Sequence, residues 1–334
     1  MKVIFSHIIP FSLGDGGVRT LVTSIQNELL AIGINVENEK WWDTEQKGDI
    51  LHFFGRPQSS HILFAKRAGY KTVMTEFLDM TSNRSPSTLF FQKSAIKLAR
   101  SLMSGMTDRM GWDTYQNADA LIYTTSNELN TAAYLFGADT KRGHIVPHGL
   151  QDEAINNLTQ PAEEKEHLVS IATITERKQT LLLAKAARLA QVPIVFLGKP
   201  YSEDDLYFKE FKECIDNQYV KYPGFVSEKE KADMLRTARG FALMSKYESG
   251  CIAVYEAAAA GLPMLLPNKP WVMKDYAAIN NVSVTGTNSV QEIASSLKKF
   301  YSNAHRSETM TFPVQSWRNV AEKYADIYKE IMET

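Results

Sequence analysis

Short apolar stretches alternate with longer amphipathic stretches along the whole chain. In the first half, the apolar stretches of strand length lie at residues 3–9, 35–37, 49–54, 72–77 and 120–124. Helical spacing appears between them, as in residues 18–31, where Leu21, Ile25 and Leu29 share one face. Strands that alternate with helices form parallel sheets covered by helices. The pattern therefore predicts an α/β fold.

A second alternating series follows a polar segment. Its predicted strands lie at residues 167–173, 194–197, 219–222, 241–245, 264–266 and 282–285. Residues 151–166 are polar, have no clear period and contain Pro161, so they are the predicted linker. The last segment carries apolar residues at helical spacing, namely Trp317, Val320, Tyr324, Ile327 and Ile331. We predict domains at 1–150 and 151–312, with a C-terminal helix in 313–334.

Composition narrows the classes of partner and compartment. The chain has 334 residues, which is enough for two domains of ordinary size. A net charge of -1 gives no global attraction to nucleic acid or anionic lipid, so either partner would need a local patch. Cys214 and Cys251 have no metal-ligand spacing, which predicts reduced thiols in a cytoplasmic protein. We expect neither a signal peptide nor a membrane-spanning run.

Residues 241–267 predict a strand, a turn, a helix and a further strand. The helix contains four alanines and ends at Gly261. A turn of this kind exposes the first N–H groups of the helix, which favour an anion. Ser249 and Gly250 would let a ligand approach the backbone. Glu248 is predicted to precede the helix, and Glu256 lies two helical turns further along.

The stretch from Glu248 to Glu256, followed by the alanines and Gly261-Leu-Pro263, resembles the E-x7-E signature of retaining glycosyltransferases of family GT4. This resemblance implies the GT-B fold, with two Rossmann-like domains facing an inter-domain cleft and residues 313–334 crossing back to the first. It also implies that Glu248 faces the transferred sugar and that Glu256 binds ribose hydroxyls. The backbone that would hold the donor belongs to Ser249, Gly250, Cys251 and Ile252.

A pair of cations follows the first strand of the second series. Arg177 and Lys178 precede the predicted helix at 180–190 and could neutralise a departing diphosphate. With Gln179 they resemble the Arg-Lys-Asn variant of the family's diphosphate motif. The simpler interpretation is a pair of solvated cations at a helix end.

Two further loops are candidate binding elements. The turn at residues 14–17 offers backbone N–H groups to a phosphate but lacks the third glycine of G-x-G-x-x-G. It resembles the family's Gly-Gly loop, which implies that Gly16 and Gly17 face the donor, although a structural turn is the alternative. Ser227 is a predicted helix N-cap with Glu230 three residues later. The resemblance implies that the backbone near Val226 meets the nucleotide base.

The residues that would bind the acceptor, in the first predicted domain, are less clearly marked by the sequence. His52 ends a predicted strand, where it could bind a hydroxyl or lie in the core. Phe77 stands where family members often have a histidine, so Glu76 and Asp79 are possible substitutes. His148 is expected to mark only the exit from the first domain.

Residues 90–112 combine aromatic residues and methionines with four basic side chains, Lys93, Lys97, Arg100 and Arg109. Such a helix can lie on an anionic membrane or on nucleic-acid phosphates. The simpler interpretation is a helix that covers the sheet with its apolar face and exposes its cations.

These features predict a retaining hexosyltransferase that uses a nucleotide-diphosphate sugar, a UDP-sugar in the first instance, and an acceptor hydroxyl. Glu248, Arg177 and Lys178 are the predicted catalytic residues. No D-x-D motif is present, so metal independence and the absence of a cofactor are expected. The predicted location is the cytoplasm, including the inner face of a membrane.

Two alternatives remain open at this level. One is a nucleotide-sugar epimerase or hydrolase of the same fold, and the other is a non-catalytic sugar-nucleotide or nucleic-acid-binding protein. The acceptor is equally open among a lipid, a glycan, a small molecule, a protein and modified DNA.

Overall fold

The computed structural model describes residues 1–7, 17–163 and 166–333. The chain divides into two units. Unit 1 comprises Met1–Gly149 and Trp317–Thr334, and unit 2 comprises Leu150–Ser316.

Unit 1 contains a six-stranded parallel sheet with strand order β2-β1-β3-β4-β5-β6. The strands are β1 (Lys2–His7), β2 (Asn35–Asn38), β3 (Ile50–Phe54), β4 (Lys71–Thr75), β5 (Ala120–Tyr123) and β6 (Gly143–Ile145). The helices of its first segment are α1 (Gly17–Ala31), α2 (Ser59–Arg67), α3 (Asp79–Ser82), α4 (Pro86–Leu102), α5 (Ser104–Arg109), α6 (Thr114–Asn117) and α7 (Ser126–Phe136), followed by a 3₁₀ turn at Thr140–Arg142.

Unit 2 contains a second six-stranded parallel sheet, with strand order β12-β11-β10-β7-β8-β9. The strands are β7 (Leu168–Ile171), β8 (Ile194–Leu197), β9 (Val220–Gly224), β10 (Gly240–Ala242), β11 (Met264–Pro267) and β12 (Val282–Thr285). Its helices are α8 (Asp152–Leu158), α9 (Thr180–Ala190), α10 (Leu206–Lys212), α11 (Glu228–Thr237), α12 (Ile252–Ala259), α13 (Pro270–Asp275) and α14 (Val290–Asn303). The predicted alternation of strands and helices is therefore confirmed in both halves.

The order of strands in unit 2 reverses beside β7. From β7 the chain continues outward through β8 and β9, then returns to place β10 on the other side of β7 and continues through β11 and β12. The chain therefore leaves β7 towards β8 and leaves β10 towards β11, in opposite directions along the sheet. In open parallel sheets, ligands bind in the crevice at such a point, at the carboxyl ends of the strands.

Helix α12 is buried on every side. All of its residues from Ala253 to Ala259 are buried, because the alanines let the helix approach its neighbours closely. The helix stops at Gly261, which has a φ of +69°, and a Cβ there would lie 2.5 Å from the carbonyl oxygen of Ser307. Only glycine fits both conditions. The predicted strand, turn, helix and stop at residues 241–267 are confirmed.

The final helix, α15 (Trp317–Glu333), packs against α1 within unit 1. The apolar face predicted for it is buried, including Trp317, Val320 and Ile331. Its Tyr328 hydroxyl lies 2.6 Å from Nδ1 of His52, whose Nε2 lies 2.8 Å from the Thr75 hydroxyl. His52 is fully buried and is therefore part of the core of unit 1.

Two predictions about local structure were wrong. The predicted linker at 151–166 contains helix α8, whose Ile155 and Leu158 pack on the core of unit 2. The predicted single helix at 90–112 is two helices, α4 and α5, which meet at Met103 in a non-helical conformation.

Gly16 and most of the predicted glycine turn lie outside the described residues, and Gly17 is the first residue of α1.

Candidate functional site

Three charged residues predicted as catalytic meet in unit 2. The Glu248 carboxylate pairs with Lys178 Nζ through Oε1, and its Oε2 lies 3.3 Å from Arg177 Nη1. The Glu248 and Lys178 side chains are only 8% and 11% exposed, whereas that of Arg177 is 30% exposed. We call Arg177, Lys178 and Glu248 the charged cluster.

The strand order explains why these residues meet. Arg177 and Lys178 follow β7, and Glu248 follows β10, its parallel neighbour across the reversal. Hydrogen bonds join the two loops, because Lys246 N donates to the Arg177 carbonyl oxygen at 2.9 Å and Arg177 Nη1 donates to the Tyr247 carbonyl oxygen at 3.1 Å. The cluster therefore lies at the position where parallel sheets of this topology bind ligands.

The cluster carries one more positive than negative charge. Burial raises the pKa of Glu248, but the charges of Lys178 and Arg177 outweigh it and hold that pKa below its ordinary value. Glu248 is therefore ionised near neutral pH, and the surplus charge of the two cations favours an anionic ligand.

Each of the two loops of the charged cluster contains a residue with a positive φ. Gly250 has a φ of +86°, which favours glycine, and Cys251 is the N-cap of α12. Gln179 precedes α9 with a φ of +51°, which is uncommon for a residue with a side chain. The buried Oε1 of Gln179 has no hydrogen-bond partner in the part of the chain that the structure describes. Strain and an unsatisfied acceptor are features of binding sites.

Cys251 is buried beside the cluster. Burial, together with the negative charge of Glu248, raises the pKa of Cys251 to about 11. Its thiol is therefore protonated at neutral pH and is not a nucleophile there.

Glu256 belongs to a second ion pair, with a residue that the sequence did not single out. Lys231 Nζ lies 2.7 Å from Glu256 Oε1 and 2.7 Å from Glu228 Oε2. Burial raises the pKa of Glu256, and the attraction of Lys231 offsets this only in part. Lys231 lies on α11 among polar residues, so its pairing depends on a tertiary contact that local sequence does not show.

A cavity of about 510 Å³ lies beside this second pair. Helices α8, α11 and α12 form its walls, and its lining includes Glu256, Lys231, Gln151, Asn157 and Arg236. Its volume falls within the range of about 300 to 1,000 Å³ that is usual for small-molecule sites. Because α8 lies in the segment predicted as a linker, the sequence did not reveal this wall.

The loop before α11 has the predicted cap. The Ser227 hydroxyl accepts from Glu230 N, and the Glu230 carboxylate accepts from Ser227 N at 2.8 Å. Val226 is partly buried against the core of unit 2. Gly198, which follows β8, is required by packing, since a Cβ there would lie 2.0 Å from the Ala172 carbonyl oxygen.

Glu76, Asp79 and His148 each contact other residues of unit 1. Glu76 is buried, accepts from Phe77 N and the Tyr115 hydroxyl, and pairs with Arg56 Nε at 3.4 Å. Asp79 starts α3 and accepts from the next backbone N–H. His148 is buried near the end of the first segment of unit 1, with its ring 6.0 Å from that of Trp317.

A protein-family model and several solved structures are similar to this chain. Residues 151–311 match the family model of the glycosyl transferases group 1. HepE of Anabaena, solved in complex with UDP, superimposes with a TM-score of 0.67 at 15% identity, covering 100% of this chain and 99% of that one. The structure has the GT-B fold.

Other structures with the GT-B fold are similarly distant in sequence. A glycosyltransferase of Rickettsia africae gives a TM-score of 0.66 at 14% identity, covering 100% of this chain and 98% of that one. Sucrose-phosphate synthase of Thermosynechococcus elongatus gives 0.64 at 13% identity, covering 99% of each chain. A comparison with curated protein sequences finds no match.

The described residues contain neither a cluster of metal ligands nor a membrane-spanning helix. Within residues 1–7, 17–163 and 166–333, no group of three or more His, Cys, Asp or Glu side chains is arranged to hold a metal ion. No helix in these ranges is both long enough and apolar enough to cross a bilayer.

Proposed function

We propose that this protein is a retaining glycosyltransferase of the GT4 type, which transfers a hexose from a UDP-sugar to an acceptor hydroxyl. The observation that carries the proposal is the convergence of Arg177, Lys178 and Glu248 at the strand-order reversal of a GT-B unit. The match of residues 151–311 to the glycosyl transferases group 1 and the UDP complex of HepE support it.

The two cations would stabilise the leaving diphosphate. Breaking the bond between the sugar and the phosphate leaves negative charge on a phosphate oxygen, and preformed cations stabilise the transition state in which that charge develops. Arg177 presents a planar fork that suits two oxygens, whereas Lys178 offers a point charge. Both are already held in place by Glu248, so little reorganisation is needed.

Glu248 would orient the sugar while it remains ionised. Its lowered pKa keeps it a hydrogen-bond acceptor for sugar hydroxyls, and it also balances part of the cationic charge. Retention follows if the acceptor attacks the face that the diphosphate leaves and a phosphate oxygen takes the acceptor proton. This step needs no separate base from the protein.

The second ion pair would hold the nucleoside part of the donor. Glu256 is a buried acceptor at the wall of the 510 Å³ cavity, where two ribose hydroxyls could donate to it. Lys231 keeps the carboxylate in place and favours its ionised form. The backbone of residues 249–252 and Val226 would complete the donor site.

Calorimetry provides the first experiment. UDP and GDP are titrated into the full chain, with and without EDTA, and binding of UDP that EDTA does not change is expected. The matched variants are Lys178→Met, in the charged cluster, and Lys246→Met, whose cation instead pairs with the exposed Glu176. Loss of UDP affinity in both variants alike, or in neither, would contradict the proposed site.

Turnover separates transfer from the alternatives. Donor consumption is measured with UDP-sugars in the presence and absence of an acceptor mixture, with products identified by mass spectrometry. We expect consumption to rise with acceptor and a new glycoside of retained configuration to form. An equal rate without acceptor would indicate a hydrolase or epimerase.

A further inference from the structure

Helix α4 has two apolar faces, and only one of them is used for packing. Ile96 and Ala99 are buried and Leu89 is partly buried, on the face that α4 turns toward the core of unit 1. Phe91, Leu98 and Leu102 lie on another face, at i, i+7 and i+11, with Ala95 between them. Their exposed fractions are 70%, 60% and 72%.

The apolar surface continues beyond α4. Phe90 contributes a second exposed ring in edge contact with Phe91, and three exposed methionines follow in and around α5, namely Met103, Met106 and Met110. Soluble proteins scatter such residues singly, so seven of them within residues 90–110 indicate an interaction site. We call residues 90–110 the exposed patch. The simple interpretation of this segment, an apolar face against the sheet and cations outside, does not account for these side chains.

The charged side chains of α4 are all basic, and Asp108, the one acidic residue within residues 90–110, accepts from Ser60 N at 2.6 Å. No acidic residue occurs among the 28 residues from Met80 to Thr107, whereas this stretch contains Arg84, Lys93, Lys97 and Arg100. Arg100 is turned inward onto Asp113, but Lys93 and Lys97 are exposed beside the apolar stripe. The whole chain has a net charge of -1, so this cationic surface is local.

We propose that the exposed patch binds the surface of a bilayer that contains anionic lipids. Aromatic and leucine side chains would enter the boundary between head groups and acyl chains, while Lys93 and Lys97 contact lipid phosphates. A nucleic acid would use the cations but would leave the stripe in water. A second copy of the chain would bring one cationic surface against another, which disfavours a twofold contact.

Vesicle binding by the full chain tests this proposal. The protein is sedimented with sucrose-loaded vesicles of phosphatidylcholine alone, or with one third phosphatidylglycerol. We expect binding to the anionic vesicles only, weakened by salt. The double variant Phe91→Ser, Leu98→Ser should lower the partition coefficient about a hundredfold, because two apolar side chains no longer enter the bilayer. Lys93→Gln with Lys97→Gln should lower it about thirtyfold.

Matched controls use exposed residues in unit 2. Leu206→Ser removes an equally exposed leucine, and Lys298→Gln with Lys299→Gln removes two exposed lysines from α14. These variants should bind vesicles as the unchanged protein does, and all variants should bind UDP equally. The UDP measurement keeps a failure of this proposal distinct from a failure of the donor site.

Three results would overturn the proposal. The first is no binding to anionic vesicles, and the second is binding that survives both patch variants. The third is that the patch variants abolish nucleic-acid binding or self-association, measured by sedimentation velocity, while vesicle binding is absent.

Discussion

The two units place charged side chains at the same edge of their parallel sheets but use them differently. In unit 1, Arg56 and Glu76 follow β3 and β4 and balance one another, and Glu76 also takes up the Tyr115 hydroxyl. In unit 2, Arg177 and Lys178 together face one carboxylate, Glu248. The two groups therefore differ in net charge: the pair in unit 1 is neutral, whereas the charged cluster in unit 2 carries one surplus positive charge.

The largest effect should come from removing one of the two cations of the charged cluster in unit 2. Lys178→Met should lower kcat by about a hundredfold to a thousandfold, because a preformed partner of the departing charge is lost. Steady-state kinetics with several UDP-sugars measures this, with Lys246→Met as the control of near-normal rate. Near-normal turnover of Lys178→Met would contradict the assignment of the cluster.

The ion pair of Arg56 and Glu76 in unit 1 should stabilise the folded protein. Glu76→Gln should lower the free energy of unfolding by about 2 kcal/mol, because the partly buried Arg56 loses its counter-charge. Denaturant unfolding measures this, and UDP affinity should not change. If unfolding were unaffected while kcat fell, Glu76 would be an acceptor-side catalytic residue and the contrast between the units would fail.

The second ion pair should give a pH dependence of smaller size. Glu256→Gln should weaken UDP binding about tenfold by removing a charged acceptor. In the unchanged protein, the affinity for UDP should fall as the pH is lowered, and at a higher pH than for an ordinary carboxylate, since protonation of Glu256 at its raised pKa removes the acceptor for ribose hydroxyls. Because the terminal phosphate of UDP also takes up a proton as the pH falls, calorimetry should show a shallower fall in Glu256→Gln than in the unchanged protein, and an identical fall in both would place the titrating group elsewhere.

The smallest effect should follow from the cap of α11. Ser227→Ala should lower the free energy of unfolding by about 1 kcal/mol, because one backbone N–H loses its acceptor. Thermal unfolding measures this loss. UDP affinity should stay within about twofold, and a larger change would show that the Ser227 side chain contacts the nucleotide.

Local sequence predicted those parts of the structure whose composition changes sharply. The apolar strand before Tyr247, the alanine-rich helix and Gly261 differ strongly from one another, so their boundaries could be read from the chain. Helix α9 was likewise predicted at residues 180–190 and is present at those bounds. Capping at Ser227 follows from side-chain chemistry within four residues, which needs no knowledge of the tertiary fold.

The missed features depend on contacts between distant residues. Helix α8 has only two turns, and Ile155 and Leu158 give too short a pattern to separate it from a polar loop. The pairing of Lys231 with Glu256 joins two helices that are separated by a strand and a loop. For His52, the sequence left a hydroxyl ligand and a core position open, and its burial between Tyr328 and Thr75 decided for the core.

The contact between His52 and Tyr328 spans 276 positions of the chain. During synthesis, the ribosome must therefore release the chain beyond α15 before the first sheet can receive this covering helix. Unit 2 lies entirely within one continuous segment, Leu150–Ser316, whereas unit 1 needs α15 from beyond that segment, so unit 2 can reach its native arrangement earlier. We expect nascent chains that stop before Trp317 to protect unit 2 from proteases and to leave the amino-terminal sheet open to cleavage.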